Sequence, residues 1–207
     1  MFIRINPAKI NPSEIEKVVS ILKSGGIIIY PTDSVYAIGC DLTNSKGVER
    51  ICKIKKIKPE KSNFTFICSD LSHLSEFAKP ITNSVFKLIK KATPGPYTFI
   101  LEASSKVPKL LKQNKKTVGI RIPDHPICYA IVKELGNPLL SSSLHDQEDE
   151  ITDYFSDPEI IFERYKEKVD IVINGGHGNL YPTSIIDVSL EEIKVLREGL
   201  GDVSWMI

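Results

Sequence analysis

The stretch "GGIIIYPTDSVYAIGCDL", Gly25–Leu42, runs from a core segment straight into polar groups. Ile27, Ile28, Ile29 and Tyr30 form an unbroken apolar run, the pattern of a strand covered on both faces. Pro31 has no N–H to give to a ladder, so pairing stops there. Thr32, Asp33 and Ser34 follow at once, then Tyr36, Gly39 and Asp41. A turn needs one or two polar residues, whereas strand ends in α/β folds are where ligands bind. A turn with an Asp-capped helix start is the other reading, and both stay open on these residues.

Outward from this stretch, strands and helices interleave. "MFIRI" alternates as a first strand. Asn11-Pro12-Ser13-Glu14 opens a helix capped by Asn11 or Ser13, with Ile15, Val18, Val19 and Leu22 as its stripe and Gly25-Gly26 ending it. "SKGVERICKIKKI" reads as a helix and "NFTFICSD" as a strand. "LSHLSEFA" and "TNSVFKLIKKA" are helices. "PGPYTFILEAS" is a strand behind a Pro-Gly-Pro turn, and "KVPKLLKQN" a short helix. "TVGIRIP" alternates as a strand, and "HPICYAIVKELG" is a helix ended by Gly136. "PLLSSSLH" is a short strand, followed by the acidic run "HDQEDEITD", read as a loop or lid. Asp157 and Pro158 open one more helix, and "DIVINGG", "TSIIDVS" and "IKVLREG" are strands. The class is α/β or a mixed-sheet α+β, and no Pro/Gly/Ser linker divides the chain, so residues 1–207 read as a single domain.

The composition narrows the function classes. The 207 residues are 42% hydrophobic with a net charge of +1, so no global field argues for nucleic acid or a membrane surface. No run of about 18 apolar residues exists, and the N-terminus lacks the pattern of a signal peptide. Cys40, Cys52, Cys68 and Cys128 lie 12, 16 and 60 residues apart, with no CxxC pair, so reduced thiols in a cytoplasmic protein are expected. His73, His125 and His177 are isolated, and no metal-ligand spacing occurs. "NGGHG" lacks the pattern of a phosphate loop and reads as a turn.

Several residues carry chemistry. Arg121 sits between Ile120 and Ile122 in an alternating strand. If those face the core, Arg121 faces the other side as a bidentate carboxylate clamp, or as an ion pair with Asp124 or another nearby acid. The hydroxyls of Thr32 and Ser34 suit an amino acid or a phosphate oxygen, or a turn. Ser141-Ser142-Ser143 end a strand. Lys53, Lys55, Lys56, Lys58 and Lys61 form a basic stretch. Charge is unevenly placed: seven Lys or Arg against two Glu over 46–61, six and no acid over 106–121, and seven acids with no Lys or Arg over 145–159.

Four stretches, "YPTDSVYAIGCD", "PGPYTFIL", "VGIRIPDHP" and "PLLSSS", together resemble the YrdC/YciO family of threonylcarbamoyl-adenylate synthases, most closely its YciO-like branch through "RICKIKK", "NFTF" and "PGPYTFIL". The resemblance implies a YrdC-like (RibB-like) fold: a strongly twisted, curved mixed sheet flanked by helices, with a positively charged concave face. It implies that ATP, brought as its Mg complex, reacts with L-threonine and bicarbonate to give threonylcarbamoyl-adenylate and pyrophosphate, for modification of adenosine 37 of tRNA. No tightly bound cofactor and no catalytic side chain is implied. Binding of tRNA or double-stranded RNA, with little synthase activity, is the alternative. The extra C-terminal domain of longer synthases has no counterpart. Residue by residue, the resemblance gives threonine to Thr32, Ser34, Arg121, Ser141 and Thr183. It gives the nucleotide to Lys55, Lys58, Thr117, Ser143, His145 and Arg197. Two positions depart from the pattern. The Lys-x-Arg arginine falls on Ile57, or on Lys58 with one insertion, and His145 stands where the family has asparagine.

Overall fold

A computed structural model describes residues 1–59, 62–112, 116–144, 155–190 and 192–206. The acidic run and His145 lie outside the described residues, as does Lys61. In chain order the elements are β1 (Phe2–Arg4), α1 (Pro12–Lys23), β2 (Ile28–Tyr30), β3 (Ala37–Asp41), α2 (Ser45–Ile54), β4 (Thr65–Ile67), α3 (Leu71–Phe77), α4 (Asn83–Ala92) and β5 (Tyr97–Glu102). There follow α5 (Lys109–Lys112), β6 (Thr117–Arg121), α6 (Pro126–Leu135), β7 (Leu139–Ser143), α7 (Pro158–Tyr165), β8 (Ile171–Asn174), β9 (Ser184–Asp187) and β10 (Lys194–Arg197).

Their ends follow local chemistry. Asn11 caps α1 by accepting from the Ser13 N–H, with Pro12 in the first turn. Gly136 ends α6 at φ 76°, a left-handed position that an L side chain enters at a cost. Asp157 caps α7 with Pro158 behind it, as the sequence predicts.

The ten strands among the described residues join one mixed sheet in the order β1-β8-β2-β3-β7-β4-β6-β5-β9-β10. The β1–β8, β2–β8, β4–β6 and β5–β9 pairs are parallel, and β2–β3, β3–β7, β4–β7, β5–β6 and β9–β10 antiparallel. The sequence reading missed β3. It read Tyr36, Gly39 and Asp41 as continuing the polar strand end, but the segment is a strand paired with β2, so Pro31–Tyr36 closes a hairpin. All five β3 residues are buried, so no apolar–polar alternation marks the strand, and Gly39 and Asp41 are poor strand formers. Tyr36 turns into the core and its hydroxyl donates to the Gly176 carbonyl at 2.7 Å. Asp41 accepts from the backbone and hydroxyl of Thr43, a local turn.

The unbroken run 27–30 is buried on both sides, as expected. Ile27 and Ile29 join a core beneath the sheet with residues of α2, α3, α4 and α7. Ile28 and Tyr30 join a second core on the other face, packed with Val18 and Leu22 of α1 and Ile127, Ile131 and Val132 of α6. The first core spans the sheet from β8 to β9, with Val172, Leu140, Phe66, Ile120, Phe99 and Ile186 pointing into it. The second draws its sheet residues from the β8–β2–β3 end, reaching Leu139 of β7 and Ile67 of β4. The same face is therefore roofed by α1 and α6 at one end and left open over β7, β4, β6, β5 and β9.

Candidate functional site

The period of two along each strand decides what the open face presents. Where Phe66, Ile120, Phe99 and Ile186 point down, Thr65, Ile67, Gly119, Arg121, Thr98, Ile100, Ile185 and Asp187 point up. Register brings them together: Thr65 lies beside Gly119 on β6 and Ser141 on β7, and Ser143 beside Ala37 on β3.

Two contiguous cavities result. One, of about 390 Å³, is lined by Lys55, Arg121, Ser141, Ser142, Ser143, Thr98, Thr183 and Arg197. The other, of about 460 Å³, has an apolar lining that includes Phe64, Ile100, Val107, Leu111, Val118 and Leu196, with Thr117 and Asp187 among its polar groups. Residues 62–65, Thr98 and Ile185 belong to both.

Arg121 is 6% exposed and faces the cleft, as the alternation predicts. Both sequence readings of it have a structural basis. Its guanidinium makes a short ion pair with Asp33, and one nitrogen lies 3.5 Å from the Thr32 hydroxyl. The other Asp33 oxygen accepts from the Asp124 N–H at 3.0 Å. The acid is thus Asp33 rather than Asp124, whose backbone alone takes part. Arg121 Nε is buried with no hydrogen-bond partner among the described residues.

Thr32 and Ser34 are buried and spend their hydroxyls inside the hairpin turn. Thr32 donates to the Val35 carbonyl at 2.7 Å, accepts from the Ser34 N–H and meets the Ser34 hydroxyl at 3.1 Å. Neither lines the cleft, though Thr32 touches Arg121. Ser141 does line it, and shares a 2.6 Å hydrogen bond with the Tyr30 phenol. Thr183 meets Thr98 at 3.0 Å and accepts from Arg197, whose Nε also donates to the Thr183 carbonyl. Arg197 is therefore fixed with its fork at the cleft edge.

Lys55 caps α2 at its C-terminus and reaches inward, its ammonium donating to the Ser143 carbonyl at 3.2 Å. Only 8% of it is exposed, and burial pushes its pKa down. Lys58 is exposed and stands outside both linings, while Ile57 lines the first cavity. Thr117 lies in the apolar cavity. The structure thus brings Arg121, Ser141, Ser143, Thr183, Lys55 and Arg197 to one cavity, places Thr117 next door, and leaves Thr32, Ser34 and Lys58 off the lining. Sequence reasoning assigned no role to Asp33, Thr98, Thr65 or Tyr30. Thr98 was legible from its period-two relation to Ile100; the partners of Asp33 and Tyr30 lie 88 and 111 residues away.

Three cations beside a row of hydroxyls suit a ligand with several anionic oxygens. An adjoining apolar chamber of this size suits a planar ring system. No group of three or more His, Cys, Asp or Glu side chains poised around a metal occurs among the described residues, and no described helix is long and apolar enough to cross a membrane.

Known proteins resemble this chain in sequence and fold. The Sua5/YciO/YrdC family model, described as telomere recombination, matches residues 20–199. The uncharacterized protein YciO of Escherichia coli (strain K12) is 43% identical over 203 residues, 98% of this chain and 97% of that one. Its crystal structure superposes with a TM-score of 0.90 over 99% of this chain and 98% of that one. A threonylcarbamoyl-AMP synthase of Vibrio vulnificus (strain YJ016) is 30% identical over 192 residues, 90% of this chain and 99% of that one. The crystal structure of P. abyssi Sua5 complexed with L-threonine has the same fold, with a TM-score of 0.87, 23% identity, and 96% of this chain against 57% of that one. On the family match and these identities, the chain belongs to the Sua5/YciO/YrdC family.

Proposed function

We propose that the protein makes threonylcarbamoyl-AMP from ATP, L-threonine and bicarbonate. The observation that carries the reading is the pair of contiguous cavities on the open sheet face, one cationic and hydroxyl-lined, the other apolar. The likeness to the threonylcarbamoyl-AMP synthase of V. vulnificus and the L-threonine bound in the P. abyssi Sua5 structure support it.

Bicarbonate and the threonine amine lose water to give a carbamate. One carbamate oxygen attacks the α-phosphorus of ATP, and pyrophosphate leaves with the electron pair of the broken P–O bond. In this reading Arg121 takes the threonine carboxylate, with Asp33 fixing the guanidinium. Ser141 and Thr183 donate to the amino acid. Lys55 and Arg197 neutralise the phosphates, where charge develops as pyrophosphate departs. Mg²⁺ enters with ATP as part of the substrate. The base occupies the apolar cavity, where Thr117 meets the sugar or base edge. The test is pyrophosphate release with each component left out in turn. Release that needs ATP, threonine and bicarbonate together is expected; release indifferent to threonine and bicarbonate rejects the reading.

A second role, binding of tRNA or duplex RNA, is favoured by one observation. Residues 62–64, Leu111 of α5 and Thr117 of β6 border the apolar cavity, and the exposed Lys58, Lys109 and Lys116 lie close to them in sequence. Such a rim would track phosphates, with log affinity falling against log salt at a slope of roughly −3 to −4 for about four contacts on a duplex. Filter binding of tRNA, duplex RNA and duplex DNA at several salt concentrations tests it; equal affinity for duplex DNA and RNA rejects an RNA-specific role.

A further inference from the structure

The side chain at the border between the roofed and open halves of the sheet is Tyr30. It is fully buried, and its ring lies against Gly39 on the neighbouring strand β3. A Cβ at Gly39 would come within 3.1 Å of that ring and 3.0 Å of the Leu140 carbonyl, so the bare backbone there is what lets the tyrosine cross over β3. Beyond Gly39, in register with it on β7, is Ser141. The phenol oxygen reaches the Ser141 hydroxyl at 2.6 Å.

We infer that Tyr30 is a positioning residue, which donates its phenol proton to Ser141 and thereby aims the Ser141 hydroxyl proton into the cleft as a hydrogen-bond donor. Three observations carry this. The phenol is the more acidic of the two O–H groups, which makes it the better donor of the pair. Burial pushes its pKa far up, so it keeps its proton at any working pH. Ser141 lines the cleft, and its hydroxyl has no other hydrogen-bond partner among the described residues. A serine free to rotate presents a proton or a lone pair to its ligand with equal ease. One that already accepts from a buried phenol has spent one of its two lone pairs and keeps its proton for the ligand, which favours a ligand that brings an acceptor oxygen. The pair therefore selects an anionic or carbonyl oxygen at this position and disfavours an ammonium or amide N–H.

The identity of the ligand rests on the amino-acid reading above; the hydrogen bond does not, and the experiment separates the two. In Ser141→Cys the thiol takes the place of the hydroxyl, and the four native cysteines are buried. Its pKa is read from the pH dependence of reaction with methyl methanethiosulfonate, with Tyr30 intact and in the Tyr30→Phe background. Phenylalanine keeps the ring against Gly39 and removes only the donor. A donor aimed at position 141 stabilises the thiolate, so the thiol pKa is expected about one unit or more lower with tyrosine than with phenylalanine. Equal values in the two backgrounds overturn the inference. Calorimetric titration with L-threonine supplies the second readout. Tyr30→Phe should weaken binding about 2- to 10-fold and add nothing further in a Ser141→Ala background. Losses that add across the double variant overturn the positioning role. A shifted thiol in a protein that binds no L-threonine keeps the donor geometry and rejects the threonine reading instead.

Discussion

Arg121 holds two partners at once: Asp33 within the fold and the open cleft. Arg121→Ala should weaken L-threonine binding roughly 10- to 150-fold, the cost of one charge-assisted partner, while ATP binding falls less. Calorimetry checks it; unchanged threonine affinity in a less stable protein would make the arginine purely structural. The Lys-x-Arg departure is equally testable, because Ile57 lines the cleft and Lys58 does not. Ile57→Arg should raise ATP affinity by adding a planar fork beside Lys55, and Lys58→Arg should leave it unchanged. The reverse pattern would mean that the chain is shifted by one residue relative to the synthases here. Lys55 adds a pH dependence. Its pKa is lowered in the fold by burial from a free lysine's 10.5, so between the two values the unfolded chain binds more protons. Stability relative to Lys55→Met should therefore rise with pH across that window and level off above about 10.5. Any ATP affinity that depends on Lys55 should fall across the same window as the ammonium is lost. Urea titrations and calorimetry at stepped pH read the two slopes. Opposite movement of stability would mean that Lys55 is held charged by a partner.

Strand β6 sets the shape of the site through an alternation of Thr117, Gly119 and Arg121. Gly119 forms part of the apolar chamber, and a Cβ added there meets neighbours only at ordinary contact distances of 3.4 to 3.6 Å. Gly119→Leu should thus fold and fill the chamber, cutting ATP binding more than tenfold while leaving L-threonine binding within about twofold. Equal loss of both ligands would mean that the two cavities do not divide nucleotide from amino acid. At this scale most of the molecule was legible. The capped helices showed Asn11-Pro12, Asp157-Pro158 and Gly136, and β6 showed clean alternation around Arg121. Strand β3 was not legible, because burial on both faces erased its period and the hydroxyl-rich turn before it looked like a loop that would continue. Of the two readings open for Thr32 and Ser34, ligand groups or a turn, the hydrogen bonds among residues 32–35 fit the β2–β3 turn. The partners Asp33–Arg121 and Tyr30–Ser141 were beyond reach for a different reason: they depend on strand order, and the order β2-β3-β7-β4-β6 cannot be read from local pattern.

Over the whole molecule, function follows from unequal cover on one face of one sheet. Helices α2, α3, α4 and α7 support the lower face along its length, while α1 and α6 roof only the β8–β2–β3 end of the upper. The open remainder collects Lys55, Arg121 and Arg197 from three different elements, so a chain of net charge +1 still presents a locally cationic cleft. That uneven charge was visible in the sequence as basic stretches over 46–61 and 106–121; that one residue of each, Lys55 and Arg121, lines a single cavity was not. The central claim is that this cleft joins a threonine carbamate to the α-phosphate of ATP. It is tested most directly by ¹³C NMR of the purified protein with [¹³C]bicarbonate, ATP, Mg²⁺ and L-threonine. The account predicts a new carbonyl resonance split by coupling to ³¹P through the C–O–P linkage, absent when threonine is omitted and lost in Arg121→Ala. A spectrum showing only bicarbonate and dissolved carbon dioxide, from folded protein with all components present, would contradict it.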